Sequence, residues 1–443
     1  MKEKKTVVGQ QPIRDARALG VPKMLILGLQ HMFAMFGATV LVPALTGLSV
    51  SATLLFAGLG TLLFHFLAKG KVPAFLGSSF AYLAGYAAME PAEKLQYACG
   101  GIVVAGLLYV VLAAIIKAVG VHRVMHYLPP VVTGPIIILI GLNLAPSAVS
   151  NASSCWWLAL VSIAVIVVAN IWGKGMIKII PILLGVVIPY IVALVFRMVD
   201  FSGLDVQGLF GGTTPLLGFQ PFVTDFSGSV AKFDVSAILV MAPIAIASMM
   251  EHIGDMSAIS ATVGENFIED PGLHRTLIGD GIATSLSAMF GGPANTTSGE
   301  NTGVLVLSRV HDPKVIRLAA LYAIILSFSP AFAYLVNTIP AAIIGGVSFI
   351  LYGMISAIGV RNVVENQVDF TNSRNLIIAA VILVCGLGFT GGLTFQVGGA
   401  SITLTSLAIA AIAGIILNAI LPGNDFHFGK SANSDASANL GQY

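Results

Sequence analysis

Long apolar runs alternate with short polar connectors along almost the whole chain. Runs at about 24–45, 51–68, 97–118, 128–147, 155–172 and 179–199 precede a Gly/Phe/Asp-rich stretch at 200–233 with few positive charges. The pattern then restarts, at 234–256, 273–291, 315–335, 340–358, 375–391 and 399–421. A spanning helix needs about 20 mostly apolar residues, so each run predicts one crossing. Two further pieces, 72–89 and 293–308, are too rich in Pro, Gly, Ser and Thr for a regular helix throughout. Each stands third in its set of seven. Pro73-Ala74 precedes Gly77-Ser78-Ser79-Phe80, and Pro293-Ala294 precedes Thr297-Ser298-Gly299-Glu300, so Phe80 and Glu300 sit at the same offset from their prolines.

Seven segments on each side of 200–233 give the two halves opposite polarity in the membrane. Inverted repeats of this kind are a transporter architecture, with the substrate site where paired broken segments meet near the midplane. The predicted fold class is therefore an all-α polytopic membrane protein of 14 transmembrane segments in two inverted 7-segment repeats. Basic residues support the count. With the N-terminus and every even-numbered connection in the cytoplasm, all Lys and Arg except Lys94, Arg197 and Lys232 fall inside, the expected positive-inside bias. Both termini are then cytoplasmic.

Composition narrows the class. The 443 residues are 56% hydrophobic and 9% charged, against roughly 25% charged in soluble domains, so the surroundings are a lipid bilayer. A net charge of +2 gives no reason to expect nucleic acid as a partner. Cys99, Cys155 and Cys385 are scattered, forming neither a disulfide framework nor a metal spacing. The polar, basic residues 1–23 are not followed by a small-residue cleavage site, so no cleavable signal is expected. No HExxH, G-x-S-x-G or Walker A motif occurs, so an enzyme is not expected, nor a cofactor or bound metal.

Candidate chemistry gathers between Pro243 and Arg309. A charge at the centre of a membrane helix costs about 2.5–3.5 kcal/mol on insertion scales, so such residues usually face a polar cavity. Glu251 and Asp255 are four apart, on one helical face, whereas His252 points elsewhere and is expected to pack or bond locally. Glu300 follows Asn295-Thr296-Thr297-Ser298-Gly299, which reads as a half-helix or extended strand leading into a short helix whose N-terminus faces the ligand. Asn301 either caps that helix or holds the site from behind. His31, inside the first span, is either a core histidine or a partner for one of the carboxylates.

At these residues the chain resembles the nucleobase–ascorbate transporter family (nucleobase:cation symporter 2), within it the bacterial uracil permeases. The resemblance covers about residues 20–422. It rests on QHMFAMFGATVLVP at 30–43, PAFLGSSFA at 73–81, MEHIGD at 250–255, DPGLHR at 270–275 and NTTSGENTGVLVLSR at 295–309. It implies short strands in segments 3 and 10, a core domain moving against a gate domain, and homodimers through the gate. The core would comprise 24–122 (segments 1–4) and 234–336 (segments 8–11), and the gate 123–199 (segments 5–7) and 337–422 (segments 12–14). A basic cytoplasmic tail at 1–23, an extracytoplasmic loop at 200–233 and a cytoplasmic tail at 423–443 complete the division.

Matched residue by residue, Glu251 and Glu300 would hold a nucleobase, with Phe80 and Gly299 offering backbone N–H groups to its carbonyls. Ala38 and Tyr352 would form pocket walls, and His31 would brace the site. Asp255 and Ser298 depart from the uracil permeases, which commonly carry His at 255 and often a larger aromatic at 298. Aspartate at 255 resembles the purine-transporting branch, which usually has Gln where this chain has Glu300. The implied function is proton-coupled uracil uptake across the bacterial inner membrane by alternating access, with Glu251, Glu300, His31 and Asp255 as proton-coupling candidates and Na+ the other candidate ion. A purine or xanthine symporter is the near alternative. A sulfate-type anion transporter and an intramembrane Mg2+-dependent enzyme using the three acids are remote ones.

Overall fold

A computed structural model of the chain describes residues 12–87, 89, 95–199, 230–397, 400–424 and 426. Lys2, Lys4, Lys5 and Lys94, nearly all of the 200–233 loop and most of the tail from 423 lie outside the described residues. The first half runs through α1 (Val21–Thr46), α2 (Val50–Leu67), strand β1 (Leu76–Ser78), α3 (Leu83–Ala87), α4 (Leu95–Val119), α5 (Val121–Tyr127), α6 (Pro130–Ser153), α7 (Trp156–Ile171), α8 (Met176–Ile179) and α9 (Pro181–Val195). The second half begins with α10 (Val235–Met241), α11 (Ile244–Val263), α12 (Leu273–Met289), strand β2 (Asn295–Thr297) and α13 (Gly299–Ser308). It continues through α14 (Pro313–Ser327), α15 (Pro330–Asn337), α16 (Ala341–Glu365), α17 (Ser373–Gly388), the hairpin β3 (Leu393–Val397) and β4 (Ala400–Leu404), and α18 (Ser406–Ile420).

Helix ends follow capping chemistry. Ser49, Asp234, Asp312, Asn372 and Thr405 accept hydrogen bonds from first-turn N–H groups, satisfying donors the helix itself leaves orphaned. Gly47 and Gly264 end α1 and α11 in the left-handed conformation that glycine adopts at little cost. Among the described residues, six helical stretches are long and apolar enough to cross a bilayer, counting Val235–Val263 as one. The pair α14 and α15, bent by 86°, adds a seventh. Four shorter apolar helices are α7, α9, α17 and α18.

Both broken segments carry a strand followed by a short helix. β1 and β2 pair antiparallel, Leu76 opposite Thr297, Gly77 opposite Thr296 and Ser78 opposite Asn295. The ladder is extended at both ends, where Ser79 N donates to Ala294 O and Ser298 N to Phe75 O, each at 2.8 Å. Side chains satisfy what the short strands leave over: Leu76 N donates to Thr61 Oγ1 on α2 at 2.9 Å, and Thr284 Oγ1 on α12 donates to Asn295 O at 2.8 Å. Irregular backbone inside a membrane protein survives only with such partners.

Two expectations fail. The run at 315–335 reads as one straight crossing, but it breaks sharply at Ser329-Pro330. Ser329 caps α15 by accepting from Phe332 N, and Pro330 has no N–H to continue the preceding helix. The run at 399–421 reads as one helix, yet its first residues belong to a hairpin and the helix starts only at Ser406.

The helices pack in two groups. In one, α12 lies against α4 and α2, and α14 against α2 and α1. In the other, α16 lies along α6 and α7, α17 against α6 and α18, and α7 against α9. Small residues let these backbones approach, as membrane helix packing requires. A Cβ on Gly106 of α4 would stand 2.5 Å from Gly281 O of α12, and one on Gly141 of α6 would stand 2.2 Å from Tyr352 O of α16. The two broken segments cross between the groups.

Candidate functional site

α11 supplies Glu251 and Asp255 one turn apart. The strand-to-helix passage from β2 into α13 supplies Thr296, Thr297, Ser298, Gly299 and Glu300, and β1 with the turn after it supplies Gly77, Ser78 and Phe80. These residues line one cavity. Its remaining wall is apolar and comes from the second helix group: Ile137 of α6 with Ile355 and Ile358 of α16. The volume is ≈ 30 Å³. Among the described residues no Lys or Arg lines it.

Hydroxyl groups hold two of the three carboxylates. Thr297 Oγ1 donates to Asp255 Oδ2 at 2.6 Å. Ser298 Oγ lies 2.9 Å from Glu300 Oε2 and 3.1 Å from Asn301 Oδ1, sharing one proton between them. Glu251 Oε2 is buried with no hydrogen-bond partner among the described residues. Behind Glu300, Asn301 Nδ2 lies 3.2 Å from His31 Nδ1 and donates to His31 O at 3.0 Å. Asn301 thus joins Ser298 to His31, and His31, fully buried on α1, meets Asn301 rather than a carboxylate.

The predicted residues divide as follows. Glu251, Asp255, Glu300, Phe80, Ser298 and Gly299 come together at the cavity. Tyr352 stands behind it, its ring edge-on to Phe80 with centroids 5.7 Å apart, while Ile355 and Ile358 form the wall. Ala38 falls on α1, and its side chain lies outside the described residues. His252 bonds locally, as its position on α11 suggests: Nε2 lies 3.0 Å from Thr276 Oγ1 and Nδ1 3.1 Å from Asp280 Oδ2.

Sequence reasoning missed Asp280, a fully buried carboxylate on α12. An Asp inside an apolar run carries the signal that singled out Glu251, and it was there to be read. It also missed Thr297, whose role depends on strand register. Among the described residues no three His, Cys, Asp or Glu side chains are grouped to hold a metal ion.

The fold is shared with known membrane transporters. The transmembrane domain of the cyanobacterial bicarbonate transporter BicA superimposes with a TM-score of 0.55 over 92% of this chain and 99% of that one, at 16% identity. The murine anion transporter Slc26a9 in its inward-facing state gives 0.63 over 90% of this chain and 68% of that one, at 12% identity. At such identities the likeness concerns fold alone. Sequence is more specific: residues 22–394 match the xanthine/uracil permease family. The chain belongs to this permease family, the nucleobase–ascorbate transporters. It is 42% identical to the uracil permease of Bacillus caldolyticus over 93% of this chain and 94% of that protein. Identity to the uracil permease of Bacillus subtilis is 40%, over 89% and 91%, and to that of Escherichia coli 37%, over 91% and 94%.

Proposed function

We propose that this permease imports uracil in symport with protons, by alternating access. The observation that carries the reading is the cavity where the two broken segments cross. There, carboxylate acceptors from α11 and α13 face two strand-to-helix passages, with no Lys or Arg among the described lining residues. Uracil offers two N–H donors and two carbonyl acceptors, and a buried polar ligand needs all of them paired. Glu251 and Glu300 would take the N–H groups, and backbone N–H groups at Phe80 and Gly299 the carbonyls. A carboxyl group that changes charge when proton and base bind together would couple the two; Glu251 and Glu300 are the candidates, with His31 and Asp255 close behind.

Fourteen segments would be made up of the six long stretches, the bent pair, the four shorter apolar helices, the two broken segments and α12. Their contacts come in pairs related by exchanging each segment with the one seven further on. The α4–α12 contact exchanges with α14–α2, and α7–α9 with α17–α18. That is what two inverted repeats would produce. The first helix group, with the broken segments, would be the core, and the second the gate. A bacterial cytoplasmic membrane, cytoplasmic termini and a homodimer through the gate complete the proposal.

A second reading, a purine or xanthine symporter, is favoured by Asp255, which adds a third carboxylate to the lining. Uptake of radiolabelled uracil into proteoliposomes separates the two. Uracil accumulation that collapses with the pH gradient, ignores Na+ and resists unlabelled xanthine supports the first. Xanthine competition with little uracil entry supports the second, and Na+-dependent uptake indifferent to pH overturns proton coupling.

A further inference from the structure

We infer that Thr297 is a positioning residue for ligand recognition: its hydroxyl fixes Asp255 so that one carboxylate oxygen stays turned toward the bound base. The inference rests on the nucleobase reading of the cavity given above. Thr297 Oγ1 donates to Asp255 Oδ2 at 2.6 Å, and both residues are buried. Backbone register sets where that hydroxyl stands. Thr297 ends β2 opposite Leu76 of β1, and the next N–H, that of Ser298, donates to Phe75 O. Asp255 arrives from a different element, α11. The oxygen left over, Oδ1, lies 3.9 Å from where a Cβ on Gly299 would stand, at the head of α13, where Ser298, Gly299 and Glu300 line the cavity.

Ser298 repeats the arrangement one residue on, its Oγ 2.9 Å from Glu300 Oε2. Consecutive hydroxyls at the end of one strand thus each engage one oxygen of a lining carboxylate. Glu251 has no such support at Oε2. The carboxylates are therefore not equivalent. Two present a held acceptor to the cavity, and a held acceptor need not be ordered at the moment of binding.

The test is equilibrium binding of radiolabelled uracil to the purified full chain in detergent, with thermal unfolding of every variant alongside. Thr297→Val keeps the shape and removes the donor; Thr297→Ser keeps the donor. Thr297→Val should weaken uracil binding roughly tenfold, the scale of one buried hydrogen bond, while Thr297→Ser stays near wild type. In an Asp255→Ala background, Thr297→Val should add nothing, because it acts through Asp255. Wild-type affinity in Thr297→Val, an equal penalty in the Asp255→Ala background, or no rescue by Thr297→Ser would each overturn the inference. Should the valine variant unfold, Thr297→Cys, with its weaker S–H donor, should give intermediate affinity, and wild-type affinity there would overturn it equally. A folded wild-type protein that binds xanthine but no uracil would overturn the uracil reading instead, and the same variants would then be scored on xanthine.

Discussion

Of the three carboxylates lining the cavity, Glu251 is the one no hydroxyl holds, and that makes it the informative residue to change. Glutamine has nearly the same shape, but its amide turns an acceptor-only group into one that also donates. In Glu251→Gln the base would meet a donor where it needs an acceptor, and a proton could no longer be exchanged there. Concentrative uracil uptake should fall at least tenfold, the cost of leaving a buried polar group unpaired, while size-exclusion profile and melting temperature stay near wild type. Normal uptake by this variant would remove Glu251 from the site. The carboxylates themselves were readable in the sequence, because a charge inside an apolar run is conspicuous. Thr297, Ile137, Ile355 and Ile358 were not, since a hydroxyl on a strand and isoleucines on helices are ordinary until the fold brings them to one cavity.

Among the connecting elements, the turn between α2 and β1 is tied to the one before α12 by the ion pair of Lys71 and Asp270. The ammonium hydrogen-bonded to Asp270 holds its carboxyl below the ordinary value. A group with a lowered folded pKa stabilises fully above its unfolded pKa, about 4, and that contribution is lost as pH falls through the folded value. Asp270→Asn should therefore lower the melting temperature slightly at pH 7, and the gap to wild type should narrow as pH falls below about 4. A gap that stays constant as the solution is acidified would point to some other cause. Between α6 and α16 the effect should be larger. A side chain on Gly141 would strike Tyr352 O, so Gly141→Val has to push the two helices apart, and overpacking of this kind costs typically 1–3 kcal/mol. A melting temperature lowered by several degrees in detergent is expected; no shift would mean that the contact is loose. At this scale the sequence revealed helices through apolar length and the broken segments through Pro and Gly. The β3–β4 hairpin went unread, although the alternation in Leu393-Thr394-Phe395-Gln396-Val397 is a strand signal, because the apolar length of 399–421 outweighed it. The α14–α15 bend escaped for the same reason, an apolar run concealing a serine cap and a proline.

For the molecule as a whole, the two walls of the cavity differ in how readily they can move. The polar wall is built from β1, β2, α11 and α13, all stitched together by strand pairing and hydroxyl bonds, so it cannot easily spread. The opposing wall is three isoleucines on α6 and α16, which meet the polar wall through apolar contact without hydrogen bonds of their own. Apolar contacts slide and reform at little cost, whereas breaking the ladder would leave backbone donors unpaired in a membrane. Binding should therefore separate α16 from the head of α13, where Ile358 Cδ1 lies 3.2 Å from the position a Gly299 Cβ would take. Enlarging that wall residue should hinder entry, and shrinking it should not. Ile358→Phe is expected to weaken uracil binding tenfold or more with little change in melting temperature, and Ile358→Ala to retain binding, both measured with radiolabelled uracil on purified protein. Equal binding by both variants would mean that the base enters without moving this wall. The ring would then have to find its space by displacing Phe80, which lines the cavity with Tyr352 edge-on behind it.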